Sequence, residues 1–202
     1  MNVIYILDIV GVAVFSISGF LAARENKMDL FGGIIIAFVT SIGGGTIRDL
    51  LLDTRVGWMS NEVYVLVALS SAVFAYFFAK QLHYLRRTLK FYDAVGLGLY
   101  AILGLEKALE HGENYSVGII LGVVSASFGG VLRDVLCNKI PFLFQREIYG
   151  TAAVIGCGFY VLMDYVGWAN DFTFVLACLL ITTIRLIAVR FNYKLPFLNE
   201  SI

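Results

Sequence analysis

The chain contains the same segment twice. Residues 8–79 align with residues 93–164 at a constant offset of 85 without a gap, and 20 of the 72 aligned positions are identical. Shared membrane hydrophobicity explains matches among isoleucine, valine and alanine, but it does not align paired glycines, arginines and acids. Since a repeat determines the whole architecture, internal duplication is the first inference from this sequence.

The most informative coinciding residues form a GG-x-x-RD signature. Gly44-Gly45-Thr46-Ile47-Arg48-Asp49 aligns with Gly129-Gly130-Val131-Leu132-Arg133-Asp134. Other glycines, acids and one tyrosine also coincide: Asp8 with Asp93, Gly11 with Gly96, Gly19 with Gly104, Gly33 with Gly118, Glu62 with Glu147, and Tyr64 with Tyr149.

Composition places the duplicated unit in a membrane. Hydrophobic residues make up 59% of the chain and charged residues 15%, with a mean hydropathy of +0.83. Soluble domains carry about 25% charged residues, and a membrane-spanning helix needs roughly 20 mostly apolar residues. The sequence predicts an all-α membrane protein with one transmembrane domain, 1–202, and seven spanning helices. The predicted spans are 3–23, 30–52, 61–79, 91–109, 115–137, 147–164 and 170–190.

Charge bias predicts the orientation. The third connection carries the largest basic cluster, namely Lys80, Arg86, Arg87 and Lys90. Because lysine and arginine collect on the cytoplasmic side, we expect an external N-terminus and a cytoplasmic C-terminus. Each repeat holds three spans, an odd number, so the two copies enter the membrane from opposite sides. The seventh helix, 170–190, stands outside the duplication and is expected to pack on the repeats or help form an oligomer.

The glycines allow two interpretations. Gly43 to Gly45 lie in the middle of the second span, and Gly129 and Gly130 occupy the same place in the fifth. Small residues let helices approach closely, or the glycines kink the helices and expose polar backbone to a cavity. Neighbouring hydroxyls would then satisfy the freed carbonyls: Thr40, Ser41, Thr46, Ser125 and Ser127. Small-xxx-small spacing predicts helix packing at Gly33 with Ala37 and at Gly118 with Gly122.

Charged residues within the spans are expected to face the bundle interior or an aqueous cavity. The depths of Arg48 and Arg133 predict Asp8–Arg48 and Asp93–Arg133 ion pairs, or cross-repeat exchanges with Asp134 and Asp49. These charges either hold the fold together or line and gate an ion path at its two ends. The same spans contain three further charges, Glu106, Lys107 and Arg185, without a predicted role, except that Lys107 is expected to snorkel towards the interface.

Several function classes lack support. The three cysteines, Cys137, Cys157 and Cys178, have no metal-ligand spacing and are expected to be packing residues. The sequence predicts no metal, no cofactor, no enzymatic activity and, at zero net charge, no nucleic-acid partner.

Seven spans, inverted repeats, and the motifs GGGTIRD (43–49) and GGVLRD (129–134) resemble the prokaryotic branch of the trimeric intracellular cation (TRIC) channels, also labelled glycine-transporter-like proteins. The resemblance implies a homotrimer in a bacterial plasma membrane, in contact with lipid, with one pore per subunit at the kinked second and fifth helices. It also implies conduction of monovalent cations, mainly potassium, with sodium permeant. By motif position, the implied pore residues are Thr40, Ser41, Gly43, Gly44, Gly45, Ser125, Ser127, Gly129 and Gly130.

Animal members of this family carry Lys-Glu-Val where this chain has Thr-Ile-Arg or Val-Leu-Arg, so the lipid-head-group binding of the animal members is not expected here.

Two alternatives compete with the channel interpretation. A secondary transporter of a small solute such as glycine fits inverted repeats equally well. A purely structural scaffold leaves the buried charges unexplained.

Overall fold

The computed structural model describes residues 3–83, 88–145 and 148–193, and within these ranges the chain is helical without a β-strand. Three residues that the sequence singled out lie outside the described residues, namely Arg86, Arg87 and Glu147. The side chain of Lys80 is also outside them, so of the basic cluster that predicts the orientation the structure describes the side chain of Lys90 alone.

Among the described residues, seven long helices occupy the seven predicted spans, which confirms the all-α fold. Their bounds are α1 Val3–Glu25, α2 Leu30–Leu51, α4 Val63–His83, α5 Thr88–Glu110, α6 Tyr115–Leu136, α7 Gly150–Tyr165 and α8 Asp171–Phe191. The second and fifth spans of the sequence are therefore α2 and α6. Side chains cap both: Asp29 Oδ1 accepts from Gly32 N at 2.7 Å, and Asn114 Oδ1 accepts from Val117 N at 3.0 Å.

Two short elements were not predicted. The helix α3, Gly57–Ser60, follows α2, and a 3-10 helix, Phe142–Phe144, follows α6. Gly57 and Phe142 are equivalent under the offset of 85, so the duplication extends to these connections. Asp53 and Asn138, also equivalent, both have a positive φ, 52° and 54°, where the chain turns away from the preceding helix.

Length and hydrophobicity vary among the long helices. By these criteria four of the described helices can cross a membrane: α1 from Ile4, α2, α6 and α8. The apolar parts of α4 and α7 are shorter, Val63–Phe78 and Gly150–Tyr165. The described helix α5 is the least apolar of the long helices because it carries charges near both of its ends.

A pseudo-two-fold axis relates the repeats. The rings of Phe15 and Tyr100, which are equivalent under the offset, stack with centroids 5.4 Å apart and an interplanar angle of 21°. A Cβ on Gly11 would lie 2.8 Å from the Tyr100 ring, and one on Gly96 would lie 2.5 Å from the Phe15 ring. Such reciprocal contacts between equivalent residues are the mark of a two-fold relation.

The helix pairs inside each repeat pack in the same way. A Cβ on Gly19 would lie 2.7 Å from Ala37 Cα, and one on the equivalent Gly104 would lie 3.0 Å from Gly122 Cα. These glycines bring α1 against α2 and α5 against α6 at backbone distance, as small residues do in membrane helix pairs.

Helix α8 packs against α5 and α7. A Cβ on Gly98 of α5 would lie 2.5 Å from Thr182 Oγ1 and 2.6 Å from the Cys178 carbonyl oxygen. On the other side, Ile181 fills the space left by Gly156 of α7. The seventh long helix thus lies against the second repeat and has no counterpart in the first.

Candidate functional site

The predicted glycine segments meet at one crossing. A Cβ on Gly44 would overlap the Ser125 carbonyl oxygen, and one on Gly129 would overlap the Thr40 carbonyl oxygen. Thr40 and Ser125 are themselves equivalent, so this contact between α2 and α6 also lies on the pseudo-two-fold axis. Both helices are continuous through their glycines, and close packing is the role that the structure gives to Gly44 and Gly129.

The hydroxyls around this crossing bond mostly to their own helices. Thr40 Oγ1 donates to the Ile36 carbonyl at 2.6 Å and Ser127 Oγ to the Val123 carbonyl at 2.6 Å. The same pattern, one turn back, holds for Ser41 to Phe38 at 2.9 Å and Thr46 to Ile42 at 2.9 Å. The Ser125 hydroxyl is buried and has no hydrogen-bond partner among the described residues. It could therefore form a hydrogen bond with a polar ligand at the crossing.

Gly33 and Gly118, which were predicted to pack helices together, lie close to side chains of neighbouring helices in the chain. A Cβ on Gly33 would lie 2.8 Å from the Phe20 ring, and one on the equivalent Gly118 would lie 2.7 Å from Leu105 Cδ1. Gly45 differs, because its nearest neighbour would be Arg48 Nη2 at 3.7 Å, which is ordinary contact distance. A Cβ on Gly43 would lie 2.7 Å from Leu132 Cδ1 across the crossing.

The predicted charges gather at opposite ends of the antiparallel α1 and α5. We call the first group the Asp93 cluster; it comprises Ser18, Asp93, Arg133, Asp134 and Tyr149. Arg133 Nη1 lies 2.7 Å from Asp93 Oδ1 and donates to Ser18 Oγ at 2.7 Å, while its Nε donates to Asp134 Oδ1 at 2.8 Å. Arg133 and Asp93 are fully buried. The pair predicted between these two residues is therefore present, and Ser18 is a partner that the sequence did not predict.

Phe142 packs against the Asp93 cluster, and Tyr149 completes it. The Arg133 guanidinium lies 5.2 Å from the Phe142 ring centroid, a cation–π contact, and Phe142 N donates to Asp134 Oδ2 at 3.1 Å. A Cβ on Gly130 would lie 3.3 Å from Tyr149 Oη and 3.4 Å from Asp93 Oδ1, so the tyrosine hydroxyl sits beside the ion pair. The arginine is enclosed by carboxylates, a hydroxyl and aromatic rings.

The second group, the Asp8 cluster, comprises Asp8, Arg48, Asp49, Tyr64 and Lys107. Arg48 Nε donates to Asp49 Oδ1 at 2.8 Å, and Gly57 N donates to Asp49 Oδ2 at 2.9 Å, as in the equivalent positions of the other cluster. Asp8, however, accepts a hydrogen bond from Tyr64 Oη at 2.6 Å.

The predicted Asp8–Arg48 ion pair is therefore corrected, because the described residues place Tyr64 rather than Arg48 against Asp8. Arg48 instead turns its guanidinium to the adjacent Asp49. The position equivalent to Ser18, which steers Arg133, is Leu103 here and offers no hydrogen bond.

Lys107 has a partner that the sequence did not predict. Its Nζ lies 2.8 Å from Asp49 Oδ1, in a side chain that is 27% exposed. This contact joins the second repeat to the first, and the equivalent of Lys107 is Ala22. Next to it, Glu106 accepts a short hydrogen bond from the Tyr160 hydroxyl of α7.

A cavity of about 170 Å³ opens at the Asp8 cluster. Its wall includes the hydroxyl-bearing face of α2, with Ser41, Gly45 and Thr46. Trp58 of α3 covers one side, donating from Nε1 to Thr46 Oγ1 at 3.1 Å. The titratable groups that line it are Asp8, Arg48, Asp49, Tyr64, Tyr100, Glu106, Lys107 and Glu110.

Sequence reasoning missed the tyrosines and Lys107. Tyr64 and Tyr149 coincide under the offset, which was the available signal, and each hydroxyl lies beside the equivalent aspartate of its own cluster. The three cysteines are buried and unpaired, consistent with packing.

Comparison with known proteins is consistent with these features. A family model described as "Glycine transporter" matches twice, at residues 5–80 and 90–165. A UPF0126 membrane protein of Vibrio cholerae is 36% identical over 197 residues, covering 96% of this chain and 82% of the relative. The UPF0126 inner membrane protein YadS of Escherichia coli is 36% identical over 200 residues, covering 96% and 95%. The solved structure of the trimeric intracellular cation channel orthologue from Rhodobacter sphaeroides has 38% identity and a TM-score of 0.89, covering 96% of this chain and all of that one.

Proposed function

The chain belongs to the family of the prokaryotic TRIC channels, and from this membership we propose that it conducts monovalent cations across a membrane. The observation that carries the proposal is the cavity at the Asp8 cluster. Its lining holds four carboxylates, of Asp8, Asp49, Glu106 and Glu110, against two cations, Arg48 and Lys107, which leaves a formal surplus of two negative charges. A recessed surplus of negative charge concentrates cations at the mouth of a path.

The proposed path continues from this cavity to the crossing of α2 and α6. Ser41, Gly45 and Thr46 reach from the cavity wall towards Gly44 and Gly129. The carbonyl oxygens of Thr40 and Ser125 lie at that crossing, and carbonyl oxygens are the ligands that replace a potassium ion's hydration shell in channels. Full conduction requires the two helices to separate there, with the glycines as the flexible points. The pore residues proposed from the motif are Thr40, Ser41, Gly43, Gly44, Gly45, Thr46, Ser125, Ser127, Gly129 and Gly130.

We propose that the Asp93 cluster closes the other end of the path. Arg133 and Asp93 are fully buried there, whereas the Asp8 cluster opens on the cavity. The charge bias of the connections supports placing the Asp8 cluster outside and the Asp93 cluster towards the cytoplasm. The proposal includes potassium preference, a homotrimer with one pore per subunit, surrounding lipid, and residence in a bacterial inner membrane, as expected from the family resemblance.

Recording of purified protein in planar bilayers tests this function. Under a potassium chloride gradient, we expect unitary currents whose reversal potential lies near that of potassium. Replacing potassium by sodium should leave a smaller current, and chemical cross-linking in detergent should stop at trimers. A reversal potential at the chloride value, or no unitary current at all, would contradict the proposal.

A glycine carrier is the second candidate, supported by one observation. The Asp8 cavity presents both carboxylates and cations, which a zwitterion requires, and its volume suits a small solute. Saturable uptake of labelled glycine into proteoliposomes that show no unitary current would favour the carrier. Unitary current without glycine uptake would exclude it.

A further inference from the structure

Helix α8 buries an arginine that the duplication does not explain. Arg185 is fully buried and is among the largest side chains in the described part of the chain to be so. An arginine inside a membrane protein is costly unless other groups compensate it. Its position follows from the close contact of α8 with α5. Thr182, one turn before Arg185, donates from Oγ1 to the carbonyl of Ala94 at 3.4 Å, and Ala94 directly follows Asp93.

The guanidinium of Arg185 contacts the start of α7. Its Nη1 donates to the Ile148 carbonyl at 3.3 Å, and its central carbon lies 4.9 Å from the Tyr149 ring centroid. This distance is within the range of cation–π attraction, which strengthens when the pair is removed from water. Tyr149 is 2% exposed, so the attraction acts in a dry environment.

Tyr149 connects Arg185 with the Asp93 cluster. Its hydroxyl, Asp93 Oδ1 and Arg133 Nη2 converge on Gly130, where a Cβ would lie 3.3, 3.4 and 3.6 Å from them. The ring of Tyr149 therefore touches Arg185 while its hydroxyl end adjoins the Asp93–Arg133 ion pair. Arg185 and Arg133 together also balance the two carboxylates of Asp93 and Asp134.

We propose that Arg185 is a positioning residue that holds the Asp93 cluster in its closed arrangement through Tyr149. This inference rests on the proposed function, because it takes the Asp93 cluster as the closed end of the path. Helix α8, the seventh long helix, then has a role in gating, because it holds the Asp93 end of the two repeats closed.

The equivalent tyrosine at the other end supports this role. Tyr64 donates to Asp8, and its ring meets the edge of Tyr5 at 6.4 Å rather than a guanidinium. Tyr64 lines the cavity. Among the described residues, no helix outside the two repeats places an arginine in the lining of this cavity. At the end that α8 covers, Arg133 is fully buried, and at the other end the equivalent Arg48 lines a cavity.

Bilayer recording of substituted channels tests the proposal. In Arg185→Met, which keeps an apolar stem but removes the cation, we expect the closed-to-open ratio to fall by roughly five- to thirty-fold. Unitary conductance and reversal potential should stay unchanged, because Arg185 is not on the path. Arg185→Lys, which keeps the charge without the planar group, should give an intermediate ratio. Arg190→Met is the matched control, since Arg190 is an exposed cation on the same helix.

A double substitution separates positioning from general support. If Arg185 acts through the ring of Tyr149, then Arg185→Met should add little in a Tyr149→Leu background. Effects that add in full would show that the two residues act independently, which would overturn the proposal. A shift in open probability by Arg190→Met equal to that by Arg185→Met would overturn it as well.

The natural cysteines provide a readout that needs no current. Cys137 is 5% exposed and its N donates to the Arg133 carbonyl at 2.9 Å, so opening of the Asp93 cluster should expose it to maleimide. Cys157 and Cys178 are buried elsewhere and report general unfolding. We expect Arg185→Met to accelerate labelling of Cys137 alone, as read by peptide mass spectrometry.

The outcomes distinguish the two proposals. Faster labelling of Cys137 alone, in a protein without unitary current, would support the lock and contradict the channel. Equal acceleration at all three cysteines would mean that Arg185 merely stabilises the fold, and unchanged labelling together with unchanged open probability would remove its gating role.

Discussion

The Asp8 and Asp93 clusters are built from the same motif yet have opposite characters. In both, an arginine donates from Nε to the next aspartate at 2.8 Å, and that aspartate accepts from the backbone of the following short helix. Arg133 is fully buried, whereas Arg48 is 8% exposed and lines a cavity. The duplicated scaffold is thus compatible with either a sealed or an open end.

Two unequal positions account for much of the difference. Ser18, on the first repeat, binds Arg133 at 2.7 Å, while its equivalent Leu103 offers Arg48 no hydrogen bond. Lys107, on the second repeat, binds Asp49 at 2.8 Å, while its equivalent, Ala22, has no polar side-chain group that could bind Asp134. Each cluster is therefore differentiated by a side chain from the other repeat.

The largest expected effect separates the two arginines. Arg133→Met removes a cation that lies 2.7 Å from the buried carboxylate of Asp93, and breaking such a buried pair costs about 3–5 kcal/mol. Arg48→Met should cost less, about 1–2 kcal/mol, because Lys107 still pairs with Asp49 and the cavity admits water. Chemical denaturation in detergent measures both, and equal losses would show that burial does not distinguish the clusters.

An intermediate effect tests the crossing on the pseudo-two-fold axis. Gly44→Ala places a methyl group against the Ser125 carbonyl, so overpacking should destabilise the protein by about 1–3 kcal/mol and lower the unitary current. Gly45→Ala is the control for stability on the same helix, since its Cβ would meet Arg48 Nη2 at 3.7 Å, an ordinary contact distance. If Gly44→Ala were as stable as Gly45→Ala, the close contact would be irrelevant to folding.

The smallest expected effect concerns charge at the two ends. Lys107→Met raises the negative surplus of the cavity from two to three, and unitary potassium conductance should rise roughly two-fold at low ionic strength. The increase should fade at high salt, where exposed charges are screened. Lys139→Met is the control, because the Lys139–Glu25 ion pair is exposed and lies at the end with the Asp93 cluster. The Nζ of Lys139 is 3.2 Å from Glu25 Oε2. An equal rise in both variants would show that the cavity has no special role.

The sequence predicts the scaffold better than the contacts of individual side chains. The seven spans follow from the length of the apolar runs, the repeat from residues that coincide at an offset of 85, and the Asp93–Arg133 contact from the depth of charged residues. The partner of Asp8 does not follow, because Tyr64 and Arg48 compete for it and only side-chain direction decides. Lys107 reaches Asp49 across the repeats, 58 positions away, and no local pattern indicates such a contact. The short helix α3 was missed because four residues carry no detectable periodicity.

The stacked rings of Phe15 and Tyr100 have a consequence for ancestry. Since these equivalent residues face each other on the pseudo-two-fold axis, a single three-helix chain inserted in both orientations would meet its own copy at this position. The same holds for Gly44 and Gly129, which touch the carbonyls of Ser125 and Thr40. Such a precursor would be an antiparallel homodimer in which every substitution on the axis acts twice. Fusion of the two genes removes that constraint, so that a serine on one copy and a lysine on the other can change one end without changing its mirror.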